Sequence, residues 1–544
     1  MANIHPIQRF WRLLSRYKKD LRHIYTYAVF IGMINLSLPL GIQAIVVYIQ
    51  TGEFSSSWLV LVTFVLMGIA IAGFFQVLQI RIVENIQQDI FARSSIEFAY
   101  RLPKMQLLEL DNVHEPELVN RFFDVLTIQK GLPKILIDFS LASFQIVFGL
   151  VLLSIYSPYF IILGLLLFSL IWFLIKITGA RGLDASIKES KYKYHLVYWL
   201  EEIARTNKSF KLKAASQFHL KKTDEITANY LYAREKHFSI LVSQFKYFIS
   251  FQVLIAAGLL LLGGMLVFQG QMNLGQFVAA EIVIILLINS VEKVIRIIDT
   301  IYDVLTALEK IGYVTDVPLD NNKGINEIDN SKSAISLELI NIGFRYPYMK
   351  QYIFQNFSAL IAANERVVIS GESGTGKSTL LHLMSGIYNL QKGEILLNDI
   401  PLQHYKREKL YEQIGVYFPT NQLFAGTIRE NIAVGRNISD KAIIEVNKIL
   451  GLQKYVQLQE NGLHTDITSG GRKLPRKIIQ KILLARIIIG KPRLLLMEDP
   501  LLFFEENETE KIINYLIDKK RNWTLIVVTN NAYWKEKSTR IIEL

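Results

Sequence analysis

The sequence contains no cysteine among its 544 residues. That excludes disulfide staples, cysteine-held zinc and a cysteine nucleophile, and it leaves the redox compartment open. Charge is scarce as well. Asp, Glu, Lys and Arg make up 20% of the chain, where a soluble globular protein carries about 25%. The apolar share is 51% and the mean hydropathy is +0.27, too greasy for water alone. What charge there is leans basic, with Lys+Arg 60 against Asp+Glu 48 and a net +12. Such an excess suits nucleic acid or an anionic membrane surface. The basic, polar stretch Met1–His23 is followed by an apolar run too long for a signal peptide, so no cleavable signal is expected.

Six apolar stretches are long enough to cross roughly 30 Å of hydrocarbon, which takes about 20 helical residues. They are Ile24–Ile49, Ser57–Leu78, Pro133–Tyr156, Tyr159–Ile177, Leu241–Phe268 and Phe277–Ile298. The intervals Arg81–Leu132 and Thr178–Ile240 are long, polar and patterned as helices. Basic residues concentrate in the N-terminal stretch and in these intervals, so the positive-inside rule puts both termini and both intervals in the cytoplasm. The +12 is then a membrane flank facing lipid, and no nucleic-acid partner is expected. A soluble protein with six buried core helices is the bland alternative, and the consistent charge flanks count against it.

From Val314 the character changes. Thr315–Ala334 is rich in Asp, Asn, Lys and Ser and reads as a linker. Beyond it, β-branched runs at Ile335–Leu339, Arg366–Ser370, Leu494–Met497 and Leu525–Thr529 alternate with helix-like segments. That alternation predicts an α/β domain with a largely parallel central sheet. The expected division is 1–313 for the α-helical polytopic membrane domain, 314–334 for the linker and 335–544 for the α/β domain.

The sharpest motif is Gly371-Glu-Ser373-Gly374-Thr375-Gly376-Lys377-Ser378, following a predicted strand and opening a predicted helix at Thr379. Glycines let backbone N–H groups curl around phosphate oxygens, Lys377 supplies charge at the β/γ-phosphates, and the Ser378 hydroxyl suits Mg²⁺. The motif therefore calls for ATP and Mg²⁺ at a P-loop NTPase site.

Six spans with two long cytoplasmic intervals ahead of a P-loop domain resemble a half-transporter of the ATP-binding cassette (ABC) superfamily, of the type I exporter kind. Phe344-Arg-Tyr346-Pro, Leu423-Phe-Ala-Gly-Thr-Ile-Arg-Glu-Asn431-Ile and Ala485-Arg486 with Pro492-Arg-Leu-Leu-Leu-Met-Glu498-Asp499-Pro500 carry the likeness further. The resemblance implies that Tyr346 stacks on adenine; the other reading is a plain surface tyrosine. It puts coupling helices near Leu107–Glu117 and Phe210–Leu220. It also implies a dimer, as homodimer or with a second half-transporter, and placement in the bacterial inner membrane.

Several catalytic elements depart from the family's pattern. Its Q-loop glutamine falls on Pro419, with Gln422 three positions away. Its Leu-Ser-Gly-Gly-Gln signature falls on Leu474-Pro-Arg-Lys-Ile478, where Arg476 and Lys477 bring charge and bulk that would either hold a phosphate crudely or, the favoured reading, disfavour closure. Its Asp-Glu pair is reversed to Glu498-Asp499, which gives Glu498 to the metal and leaves Asp499 as a shorter base. Its switch histidine is Asn530, and the last histidine in the chain is His464. The D-loop position reads Leu501-Leu-Phe-Phe-Glu505. ATP binding is thus expected to outlast hydrolysis, which would be slow or borrowed from a partner. A catalytically inactive regulatory or assembly subunit is the rival, and a soluble P-loop kinase is set aside by the six spans.

For cargo, Glu117-Leu-Val-Asn-Arg121 and its surroundings are similar to bacterial peptide and toxin exporters. This implies a peptide, protein or hydrophobic substrate, and a periplasmic adaptor or accessory partner. Cysteine-peptidase leader cleavage is not expected in a cysteine-free chain. Glu281 is a candidate functional carboxylate within a span, or equally a residue near the outer headgroups or paired inside the bundle. Asn35, Gln43 and Gln145 would line a cavity or bridge helices.

Overall fold

A computed structural model describes residues 4–51, 56–110, 115–213, 216–320, 324–328 and 334–544. Parts of the expected linker and of both expected coupling segments fall outside these residues. The chain divides into two compact units: a helical one ending at Val317, and an α/β one that runs Pro318–Leu544 and also takes in the short helix Leu107–Leu110.

Among the described residues, the helical unit holds six long helical segments: Pro6–Ile49, Ser57–Lys104, Glu117–Tyr156, Tyr159–Arg205, Phe218–Phe268 and Leu274–Thr315. All six expected spans lie within them. The surplus is explained by length: at 1.5 Å per residue, a helix of 47 residues reaches about 70 Å, more than twice the hydrocarbon thickness. In the third and sixth segments 44% of the most apolar window is buried, against 6% in the second. The second therefore faces outward, while the third and sixth form the unit's centre.

Small residues permit close crossings there. A Cβ on Gly131 would lie 2.3 Å from Val304, and one on Gly182 would lie 2.4 Å from the Tyr302 ring. Buried polar side chains bond helix to helix: Gln244 donates to Thr178 Oγ1 (2.7 Å), and Gln79 donates to the Ile24 carbonyl (2.8 Å). Two of the polar span residues do the same. Gln43 accepts from the Tyr156 hydroxyl (2.5 Å), and Gln145 accepts from Ser290 (3.0 Å). The last segment opens on a reciprocal cap, Asn273 and Gln276 each accepting the other's backbone N–H.

In the α/β unit, strands β1 (Leu337–Phe344), β2 (Phe354–Ile361), β3 (Arg366–Ser370), β4 (Lys392–Leu397), β5 (Ile400–Pro401) and β6 (Ile414–Tyr417) come first. A small ribbon of β7 (Gly426–Thr427) and β8 (Asp466–Ile467) precedes β9 (Leu494–Glu498), β10 (Thr524–Val528) and β11 (Arg540–Glu543). The parallel sheet is there, in the order β11-β3-β10-β9-β6, with β3, β9 and β10 almost wholly buried. A second, antiparallel sheet, β2-β1-β4-β5, was not foreseen. The run at Ile335–Leu339 belongs to it, because β1 pairs antiparallel with β2 after a short connection and with β4 on its other edge.

Two pieces outside the expected 335–544 boundary pack into this unit. Met105 bridges Leu319, Gln106 bonds Pro318 and Leu319 carbonyls, and Leu108 packs against the core that takes in the buried residues of β1. In the expected linker, Asn326 pairs with Tyr405, and Ile328 is buried in the same core.

Candidate functional site

β3 feeds a loop whose glycines hold left-handed backbone, Gly374 at φ +91° and Gly376 at φ +95°, before the helix Lys377–Met384 begins. Only glycine takes these angles cheaply. A Cβ on Gly376 would come within 2.4 Å of Ile353, whereas one on Gly374 would meet nothing within 4 Å. The loop is thus packed from behind and open at Gly374, the shape a phosphate cradle needs. Lys377 bends back over it, its Nζ donating to the carbonyls of Gly371 (3.0 Å) and Glu372. Ser373 is exposed, and Thr375 Oγ1 donates to the Glu372 carbonyl (3.1 Å).

The parallel register levels three strand ends: Ile369 on β3, Val528 on β10 and Glu498 on β9. Glu498 thereby meets the P-loop helix, accepting from Ser378 Oγ at 2.5 Å. Hydroxyl and carboxylate oxygens so close suit a hard divalent cation such as Mg²⁺. Asp499 sits one residue further at φ +41°, its N–H held by the Val528 carbonyl (2.9 Å). Lys377, Glu498, Asp499 and Asn530 line one open cleft of about 810 Å³.

Two partnerships were not legible in the motifs. The Asn530 carboxamide clasps the first P-loop glycine from both sides, donating to the Gly371 carbonyl (3.2 Å) and accepting its N–H (3.4 Å). His382 on the P-loop helix stacks on Phe418 at 4.1 Å, next to the exposed Pro419. Tyr346 follows β1, its hydroxyl 3.0 Å from Thr379 Oγ1 and its ring stacked on Tyr348 at 5.4 Å.

The segment Leu474–Ile478 stands apart, supplying none of the described residues that line the cleft. Pro475 caps the helix Arg476–Ile488. Its first two residues are occupied inside the chain. The Arg476 guanidinium lies 5.3 Å over the Phe503 ring, and Lys477 pairs with Glu505 (2.9 Å) and Glu508 (2.6 Å). One turn on, Gln480 accepts from Phe503 N–H (3.3 Å), and the buried Lys481 reaches Glu508 (3.2 Å). The expected D-loop run and the expected signature are therefore latched together. Hydrogen bonds to Glu508 and Glu505 push Lys477 above its ordinary range. Burial works to raise Glu508, but the bonds from Lys477 and Lys481 outweigh it and hold the carboxyl below the usual range.

Known proteins resemble both parts of the chain. Residues 24–291 match the model of the ABC transporter transmembrane region, and residues 354–502 match that of the ABC transporter. A glutathione/L-cysteine transport system ATP-binding/permease protein of Haemophilus influenzae is 29% identical over 241 residues, 44% of this chain and 42% of that one. The chain thus aligns with less than half the length of that relative. A protein of Rickettsia bellii named as an export ATP-binding/permease protein is 23% identical over 99% of this chain and 94% of its own. Among solved structures, a bacterial Atm1-family ABC exporter with ATP bound superposes with a TM-score of 0.84 at 18% identity, covering 97% of this chain and 93% of that chain.

Proposed function

This chain belongs to the ABC transporter superfamily as an exporter-type half-transporter, membrane helices and ATP-binding unit on one polypeptide, and we propose that it binds Mg-ATP, dimerises, and drives export with slow or partner-supplied hydrolysis. The observation that carries the reading is the contrast within one unit. The glycine cradle, Lys377 and the Ser378–Glu498 pair are in register, while the helix start at Arg476 and Lys477 is tied to Phe503, Glu505 and Glu508.

In this reading the amides about Gly374 and the Lys377 ammonium hold the β/γ-phosphates, and Tyr346 lies beside adenine. Ser378 and Glu498 hold Mg²⁺, which neutralises phosphate charge when bound. Asp499 accepts the proton of an attacking water, but its side chain is one methylene shorter than glutamate's. Misplacement by about 1 Å can cost 10²-fold in rate. Asn530 can donate to a phosphate but carries neither proton nor charge, and both ends of its amide are engaged by Gly371. The second site of a dimer would face the Leu474–Ile478 segment.

The proposed orientation places the ATP-binding unit in the cytoplasm of a bacterial cell, with a peptide, protein or hydrophobic cargo. The test is steady-state phosphate release by the purified chain in lipid nanodiscs, with Lys377→Ala as blank. Turnover below about 1 s⁻¹, under the common enzyme range, with saturable ATP binding is expected. Faster turnover by the chain alone would overturn the slow-site reading. If ATP leaves substrate flux unchanged even with an intact partner, the chain is a regulatory subunit.

A further inference from the structure

The helical unit contains a cavity of about 610 Å³ that the transport reading does not use. Three helical segments build it: Glu117 and Arg121 at the start of the third, residues between Ile187 and Tyr198 on the fourth, and Lys310 and Tyr313 near the end of the sixth. Its volume falls in the range of about 300–1,000 Å³ typical of small-molecule sites. Four cationic side chains line it against a single carboxylate, Glu117, with Tyr194, Tyr198 and Tyr313 as walls.

Among the lining side chains, cations outnumber carboxylates. Glu117 is taken by Arg121 at 2.7 Å, and Lys188 turns to Asp184 at 2.7 Å. Lys310 is only 6% exposed, and among the described residues it forms no ion pair. Arg121 and Lys310 both lie over the Tyr313 ring, at 4.4 and 5.3 Å, so two cations share one aromatic ring. Two further carboxylates, Glu309 and Asp124 (the latter accepting from the Tyr194 hydroxyl at 2.5 Å), act on Lys310 from outside the cavity lining. Two guanidinium nitrogens of Arg121, Nε and Nη1, are buried without a hydrogen-bond partner. Like charges held together away from water are costly unless an anion joins them.

We propose that this cavity binds a small soluble organic oxyanion, with Lys310, Lys191 and Arg121 meeting its phosphate or carboxylate group and the tyrosines its flat or apolar body. Distance from the bilayer argues against a lipid headgroup. Lys310 lies twelve residues beyond Ile298 and Arg121 twelve before Pro133, about 18 Å along each helix at 1.5 Å per residue. Lys191 is fourteen residues past Ile177, about 21 Å. Headgroups extend only about 5–8 Å past the hydrocarbon, so the occupant comes from the aqueous phase.

The test uses the full chain in nanodiscs, on a Lys377→Ala background so that the P-loop does not contribute. Titration calorimetry with phenyl phosphate, citrate and inorganic phosphate separates phosphate from carboxylate recognition and the ring's share from that of the charge. Saturable binding of at least one organic probe is expected, tighter than inorganic phosphate and weakening with salt. Lys310→Met should weaken it at least tenfold. The exposed Lys191→Gln, which disturbs no packing, should weaken it several-fold. Equal binding by both variants, or no saturable binding by the parent, would overturn the proposal. A negative result here leaves the ATP reading untouched, because that reading rests on the other unit.

Discussion

The two halves of the α/β unit's nucleotide machinery have been treated differently. The P-loop half is organised around open backbone: left-handed glycines, a lysine folded over them, and Ser378 bonded to Glu498. The half around Arg476 is closed on itself through Phe503, Glu505 and Glu508. The first needs only its own chain to hold a phosphate. The second, in an ABC dimer, would have to serve another chain, and its charges are already spent at home. In the proposed reading, binding survives on the first half alone, whereas fast hydrolysis requires both.

That contrast can be broken from either side. The largest effect is expected from Lys377→Ala, which should weaken ATP affinity by more than about 100-fold, or 2.7 kcal/mol, measured by equilibrium binding with a fluorescent analogue. Retained affinity would mean that the open half does not hold the phosphates. Next, Asp499→Glu with Asn530→His should raise phosphate release about 10–100-fold, since general-base placement is worth that much. No gain would shift the defect to the latched segment.

Glu508→Gln removes the acceptor shared by Lys477 and Lys481. Because Glu508 is partly exposed, the loss should be about 1–2 kcal/mol, below that of a fully buried pair, read by urea or thermal unfolding. The same contact makes a pH prediction. The carboxyl is held below its ordinary value, so its stabilisation is complete above the usual carboxylate range. It is lost as pH falls through the depressed value. Lys477, raised in turn, loses its share only in strongly alkaline solution. Unfolding midpoints of the parent should therefore drop below about pH 4.5 more steeply than those of Glu508→Gln. Last, Tyr346→Phe keeps the ring and loses the bond to Thr379, so ATP affinity should change less than threefold, with about 1 kcal/mol lost in stability. A large loss of affinity would assign the hydroxyl, and not the ring, to the nucleotide.

Much of the site's inner half could be read along the chain, because a P-loop is one contiguous run whose glycine spacing reports its backbone. The latch could not. Lys477 and Glu505 are twenty-eight residues apart, and each is an ordinary surface-type residue until two helices bring them within 2.9 Å. The clasp of Asn530 on Gly371 spans 159 residues. The sequence shows asparagine where the family resemblance expects histidine, but not the amide's partner. Similarly, Gln43 and Gln145 left cavity and bridge open until Tyr156 and Ser290 were seen beside them.

By itself the sequence determined the six spans, the parallel sheet and the P-loop, since each follows from hydrophobic run length or glycine spacing within a few consecutive residues. The antiparallel sheet, the inclusion of Leu107–Leu110 in the α/β unit, the latch and the basic cavity were decided by tertiary structure. Their energies come from pairing groups far apart in the chain, and register and charge balance exist only once those groups are brought together.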